Sequence, residues 1–150
     1  MSAYYTKVIP VNPFCRVDAQ TARTVQRYLE EHMMAMSVEI EMQEHPAFID
    51  CGGYLEKIAC PFCGSELSDW WAEAMDEAAG ETGLFASLDA MRLPCCGSYA
   101  SLKDLCYTAP CGFACTAFIL LYPRKQLEGY HLREVERLLG TQVSVIESRI

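Results

Sequence analysis

Four cysteines in two short motifs, Cys60-Pro61-Phe62-Cys63-Gly64 and Pro94-Cys95-Cys96-Gly97, are the residues of this chain best suited to chemistry. A Cys-x-x-Cys followed by Gly folds into a tight knuckle that aims both sulfurs at one ion, the Gly accepting the positive backbone angle of the turn. Two such turns supply four thiolates. These saturate a tetrahedral Zn2+ and leave no position for water or substrate, so the metal is expected to be structural. The adjacency of Cys95 and Cys96 is unusual, because neighbouring side chains diverge. The plainer readings are three ligands completed by another residue, or small buried hydrophobes. Cys51, Cys106, Cys111 and Cys115 are the reserves. Three of them, Cys106, Cys111 and Cys115, could instead form a second thiolate cluster or a redox pair. Cys111 and Cys115 flank a strand start without knuckle spacing, however, and core packing is the ordinary use of a free cysteine.

The rest of the composition sets the context. Nine cysteines is an odd count, and the segment Met1–Lys7 lacks the charged start and apolar stretch of a signal peptide. The expectation is a cytoplasmic chain, where thiols stay reduced and paired Cys motifs bind metal. Phe113 to Tyr122, the longest apolar run, is about half the length of a membrane-spanning helix, so no membrane partner is expected. The net charge of −8 argues against phosphate-backbone binding and hence against nucleic acid. It suits a basic protein partner. With 51% apolar and 21% charged residues, the 150-residue chain is too hydrophobic for disorder and is expected to fold as a single domain, 1–150.

The elements that must position the cysteines follow from periodicity. Tyr4 to Val11 is rich in β-branched and aromatic residues and ends at Asn12-Pro13, which predicts a strand and a turn. Asp18 caps a helix from Ala19, with Ala22, Val25, Leu29 and His32 or Met33 on one stripe. Ser37 to Gln43 alternates, Val38, Ile40 and Met42 against Glu39, Glu41 and Gln43, as a half-exposed strand does. Between the knuckles, Ser68 or Asp69 caps a helix ended by Gly80, with Trp71, Ala74, Met75 and Ala78 facing the core and Trp70 at its margin. Phe113 to Tyr122 reads as a buried strand stopped by Pro123. Leu132, Val135, Leu138 and Leu139 form a helical stripe closed by Gly140, and Thr141 to Arg149 forms a last strand with Val143 and Val145 on one face.

The predicted fold class is therefore α+β: a ferredoxin-like split βαβ sheet with an inserted zinc-knuckle and helix subdomain. The first βαβ half is 4–43, the zinc-binding insertion 44–111 and the second half 112–150. Right-handed crossovers give the order 4-1-3-2, placing the two more apolar strands centrally. The edges then carry Glu39, Glu41, Glu147 and Arg149, charges that discourage edge-to-edge association.

At these residues the sequence resembles a family of small bacterial proteins that carry CPxCG and PCCG zinc knuckles. The resemblance runs through Phe48-Ile49-Asp50-Cys51-Gly52, the Cys60/Cys63 knuckle, Trp70-Trp71 and Leu93-Pro94-Cys95-Cys96-Gly97. It continues in Ser101-Leu102-Lys103-Asp104-Leu105-Cys106-Tyr107, Gly112-Phe113-Ala114 and Leu138-Leu139-Gly140. It implies a metal set of Cys60, Cys63, Cys95 and Cys96, and a segment like SLNDLxYxWPxGF after the second knuckle. The chain departs from that segment at Lys103 and Ala109, and it adds Cys106, Cys111 and Cys115. No activity follows from the resemblance.

For function, the motifs of catalytic zinc are missing from the sequence: there is no His-x-Glu partnered with the Pro-Cys knuckle, no His-Glu-x-x-His and no Gly-rich phosphate loop. A Cys nucleophile with His32, His45 or His131 as base is the enzymatic alternative. A nucleic-acid-binding zinc ribbon is another, although only Lys57, Arg92 and Lys103 stand near the knuckles, with several acids between them. The preferred reading is a non-catalytic protein-binding module, with a bacterial immunity protein that binds a toxin as its most concrete version. Its contact residues would be Glu39, Glu41, Glu44 and Trp70. A solvated acidic face is the plain alternative for those charges.

Overall fold

The computed structural model describes residues 3–150. Met1 and Ser2, at the head of the expected 1–150 domain and of the segment read for a signal peptide, lie outside them.

Strand β1 (Tyr4–Pro10) runs into a turn in which the Asn12 side chain accepts the Phe14 N–H at 3.0 Å. Helix α1 (Ala19–Met33) starts where expected. The Asp18 carboxylate accepts the Thr21 N–H and the Thr21 hydroxyl, both at 2.8 Å, and Ala22, Val25, Leu29 and Met33 form the buried stripe. Strand β2 (Ser37–Ile49) follows. A central segment then carries β3 (Ile58–Ala59), α2 (Ser68–Ala79), β4 (Met91–Arg92), β5 (Tyr99–Ala100) and β6 (Cys106–Tyr107). The chain closes with β7 (Gly112–Leu121), α3 (Gly129–Leu139) and β8 (Val143–Arg149). Gly140 ends α3 at φ +75°, a left-handed angle that suits glycine.

The four long strands form one antiparallel sheet in the order β2-β7-β1-β8. β7 is central because it is buried without a break from Phe113 to Leu120. On one face Val8, Val38, Phe118 and Leu120 pack against Val25, Leu29 and Met33 of α1 and Val135 of α3. On the other, Ile9, Ala117, Ile119 and Ile146 are covered by Cys51, Leu55, Ala109 and Cys111, from the two ends of the central segment. That segment has its own core of Ile58, Leu67, Met75, Phe85, Leu93 and Leu105, which meets the sheet at Phe48 and Phe113. Two two-stranded pieces, β3-β6 and β4-β5, frame it.

Several boundaries differ from expectation. β2 continues six residues past Gln43, so the central segment begins after Ile49 rather than at 44. The register shifts between Met42 and Ala47, and His45-Pro46 lies inside the strand at this irregularity. Proline is tolerated there because an edge strand at a bulge needs no N–H from it; the Pro46 carbonyl still accepts the Phe85 N–H at 2.7 Å. In β8, Ile146 and Ser148 are buried as well as the Val143 face being packed, since both sides of the sheet are covered. In α2 the capping position is Leu67, without a side-chain bond. Ser68 instead accepts the Ile58 N–H at 3.3 Å and donates to Glu66 at 3.1 Å. Ala78 is exposed, and Ala79 packs in its place.

The two sheet edges are closed in different ways. β2 presents Glu39, Glu41 and Glu44 to solvent, whereas the end of β8 is covered by backbone. Arg149 O accepts the Gly53 N–H at 2.6 Å, and Gly52 pairs with Arg149 as a parallel bridge. Only glycine fits at 52, since φ is +59° and a Cβ would lie 2.3 Å from the Arg149 carbonyl oxygen. Among the described residues no helix is long and apolar enough to cross a membrane.

Candidate metal centre

The two knuckles are the same turn made twice. In the first, Cys60 N donates to Ser65 O at 2.9 Å and Gly64 N to Cys60 O at 3.0 Å; in the second, Leu93 N donates to Ser98 O at 2.8 Å and Gly97 N to Leu93 O at 3.0 Å. Gly64 and Gly97 sit at φ +76° and +74°. Cys60-Pro61-Phe62-Cys63-Gly64-Ser65 therefore superposes in role on Leu93-Pro94-Cys95-Cys96-Gly97-Ser98. Cys63 and Cys96 are equivalent, Leu93 stands where the first turn has Cys60, and Cys95 stands where it has Phe62. Cys60 and Leu93 are both buried in the core of the central segment. The sequence signal for this pairing is the repeated Pro-x-Cys-Gly-Ser, which spacing of cysteines alone does not reveal.

The structure brings Cys60, Cys63, Cys95 and Cys96 together. Their sulfurs all lie within 4.8 Å of one another, close enough to hold a metal ion. A tetrahedral ion with metal–sulfur bonds of about 2.3 Å needs sulfurs about 3.8 Å apart, and the Cys60 and Cys96 sulfurs are 3.8 Å apart. Neighbouring Cys95 and Cys96 both reach the cluster because they occupy different places in the turn, which removes the objection that adjacent side chains diverge. Cys60 is buried, while Cys63, Cys95 and Cys96 are exposed.

Electrostatics of the four sulfurs is uneven. Cys60 Sγ accepts the N–H groups of Phe62 at 3.3 Å and Cys63 at 3.5 Å. The Ser65 hydroxyl lies 3.3 Å from Cys63; its hydrogen bond, with that of the Ser65 backbone, lowers the Cys63 thiol to about 6. Ser98 lowers Cys96 in the same way. Cys95 is raised to about 12, by desolvation first and then by the sulfurs of Cys63, Cys60 and Cys96. Four thiolates at this separation cannot all carry charge without a cation between them, and the soft donor set suits a thiophilic metal.

The centre is anchored to the sheet by aromatic residues. Trp71 Nε1 donates to the Tyr107 hydroxyl at 3.1 Å, which donates to Leu102 O at 2.5 Å. Phe48 packs on Trp71 and Phe113, with centroids 5.6 and 5.3 Å apart. The Ser101–Tyr107 segment, singled out by resemblance, thus has a structural part: Ser101 caps a short turn and Leu102 and Leu105 are buried. Burial raises the Tyr107 phenol, keeping it protonated as a donor.

The other expected site residues are distributed as follows. Trp70 is half-buried and lines a cavity of about 400 Å3 with Glu66, Leu67, Ser68, Asp69, Pro94 and Cys95. Glu39, Glu41 and Glu44 are exposed on β2. Among the reserve cysteines, Cys51 and Cys115 are buried and Cys111 half-buried, but Cys106 is exposed rather than packed. Cys51 and Cys111 share one apolar cluster, and Cys111 is pushed up to about 12 by desolvation and by Cys51. His32 and His131 meet at the α1–α3 contact, with ring centroids 6.2 Å apart. His131 Nδ1 accepts the Glu128 N–H at 3.0 Å, completing a capping box.

Comparison of the chain with protein-family models, with curated proteins and with solved structures finds no match.

Proposed function

We propose that this protein is a non-catalytic, zinc-stabilised protein-binding module, built on a ferredoxin-like sheet into which a zinc-knuckle subdomain is inserted. Read by its long strands, the order β2-β7-β1-β8 is 2-3-1-4, the reverse of 4-1-3-2, with helices linking β1 to β2 and β7 to β8; this supports the sheet assignment. The four-sulfur cluster supports zinc as the ion, held by Cys60, Cys63, Cys95 and Cys96. When bound, Zn2+ would tie the two knuckles and leave all four positions filled by protein.

The observation that carries the binding reading is the acidic row on β2. Glu39, Glu41 and Glu44 are exposed on an edge strand, and none of their side chains makes an ion pair among the described residues. Such a row is complementary to a basic protein, and a toxin neutralised by a cytoplasmic immunity protein is its most concrete form. Trp70 offers an aromatic contact of the kind that anchors partners.

The test is charge reversal. Replacing Glu39, Glu41 and Glu44 by Lys should leave folding and metal content intact and slow association with a basic partner captured from the native host. Wild-type association should itself weaken as salt rises. Capture of the same partner at unchanged rate by the triple variant would refute the reading, and co-expression with that partner tests protection directly. Native mass spectrometry identifies the ion, since an iron tetrathiolate would differ in mass and colour from a colourless zinc one.

A further inference from the structure

We infer that His131 is an acid-sensitive latch: it holds the first turn of α3 closed against α1 while its imidazole is neutral and releases that turn when the ring takes up a proton. The inference is independent of the metal and of any partner, because α3 packs on the helix side of the sheet, whereas the knuckles belong to the core of the central segment.

The device starts from one hydrogen bond. The Glu128 N–H, at the head of α3, donates to His131 Nδ1 at 3.0 Å. A ring nitrogen that accepts carries no proton, so the neutral imidazole keeps its single proton on Nε2. The next proton can add only at Nδ1, and there it turns the acceptor into a donor. Two N–H groups then face each other and the bond is lost. Gln or Glu is the usual residue at this place of a capping box, and Gln accepts the same N–H with nothing to titrate. Histidine makes the bond conditional on pH.

The surroundings oppose the proton as well. His131 is 5% exposed, and its ring stands where α1 meets α3. Facing it from α1 are His32, with ring centroid 6.2 Å away, and Tyr28 at 6.4 Å; Tyr130 stands beside it on α3 at 4.1 Å. Lys125 acts on it from the loop before α3. That loop is fastened to the end of α1, since the Arg124 and Lys125 N–H groups donate to Met33 O at 3.1 and 3.3 Å. Glu128 supplies the opposing negative charge, while Glu134, the next acid along α3, is paired with Arg137. A proton on His131 therefore places a cation beside a second imidazole and a lysine at the seam that joins the two helices.

Burial first, and then His32 and Lys125, hold His131 below the ordinary imidazole range against the pull of Glu128. An imidazole whose folded value is depressed leaves stability complete above the unfolded value of about 6.5 and lowers it as pH falls from there toward the folded one. The latch is thus shut at neutral pH and opens in mild acid.

The test follows the Glu128 amide of the whole protein by NMR hydrogen exchange between about pH 7.5 and about pH 5, a range that spans imidazole titration. Loss of one hydrogen bond corresponds to about fivefold in an opening equilibrium. Protection of the Glu128 amide, taken relative to that of Val25 on the buried stripe of α1, should fall about fivefold in wild type. It should stay level in His131→Gln. Metal released by acid acts on both proteins alike and cancels in the comparison. Protection that stays level in wild type, or that falls equally in the variant, overturns the inference.

If the variant does not fold, the wild-type ring decides. Its own resonance should titrate below the ordinary imidazole value and in step with the fall at Glu128; a midpoint at or above that value, or one detached from the fall, overturns the inference. His32→Gln should shift the His131 midpoint upward by removing the second imidazole, and an unmoved midpoint would overturn the part assigned to α1.

Discussion

At the scale of single residues, the metal centre depends on what each position of the knuckle turn can offer. Cys63 holds the regular place of the turn, beside Ser65, and on the metal reading Cys63→Ser should reduce the content from about one ion per chain and lower the melting temperature, because ligand loss in such sites is loss of folding energy. Native mass spectrometry and thermal unfolding read the two effects; a variant with unchanged metal and unchanged melting would remove Cys63 from the ligand set. The four cysteines were legible from the sequence because ligand chemistry needs those residue types at short spacing. The role of Leu93 was not, because cysteine spacing alone does not align it with Cys60; the backbone hydrogen bonds do, with the repeated Pro-x-Cys-Gly-Ser as the signal that spacing passed over. The exposure of Cys106 was hidden as well. It depends on a two-residue pairing of β6 with β3 that has no periodicity to read.

At the scale of elements, a fully buried strand and a capped helix make separable predictions. Phe118 is 0% exposed between the two long helices and the sheet, so Phe118→Ala should cost about 3–5 kcal/mol, whereas Glu41→Ala on the exposed edge should be nearly neutral. Denaturant titration of both variants checks this. Asp18 is held below the ordinary carboxylate range by the Thr21 N–H and then by the Thr21 hydroxyl. A carboxyl whose folded value is depressed contributes stability above its unfolded value and loses it as pH falls through the folded one. The melting temperature of Asp18→Ala should therefore lie below wild type at neutral pH and converge with it in acid; a gap that persists there would show the cap acting without its charge. Strand alternation and the Asp18 cap were readable because both are local. The extension of β2 through His45-Pro46 was not, since Pro signals a break and only pairing of Ala47, Phe48 and Ile49 with β7 restores the strand.

At the scale of the molecule, three apolar clusters divide the work, and the candidate metal site adjoins only one of them. The sheet's helix side and its opposite side are built from β1, β7, β8, the two long helices and the ends of the central segment. The knuckles belong to the third cluster, where Cys60 and Leu93 are core residues beside Leu67, Met75 and Phe85. Without an ion the four sulfurs, within 4.8 Å of one another, would have no cation between them, and the pairs β3-β6 and β4-β5, each two residues long, would rest on the apolar core of the segment alone. Regions of low local stability open without global unfolding. Chelation should thus increase amide exchange at the two knuckles, 58–66 and 91–100, while β1, β7, α1 and α2 stay protected. The contact of Phe48 with both Trp71 and Phe113 sets the boundary, because it ties α2 to the sheet independently of the ion. Hydrogen-exchange mass spectrometry with and without chelator separates the outcomes. Uniform deprotection would mean that the ion stabilises the whole chain as one cooperative unit, and no change would mean that it stabilises nothing.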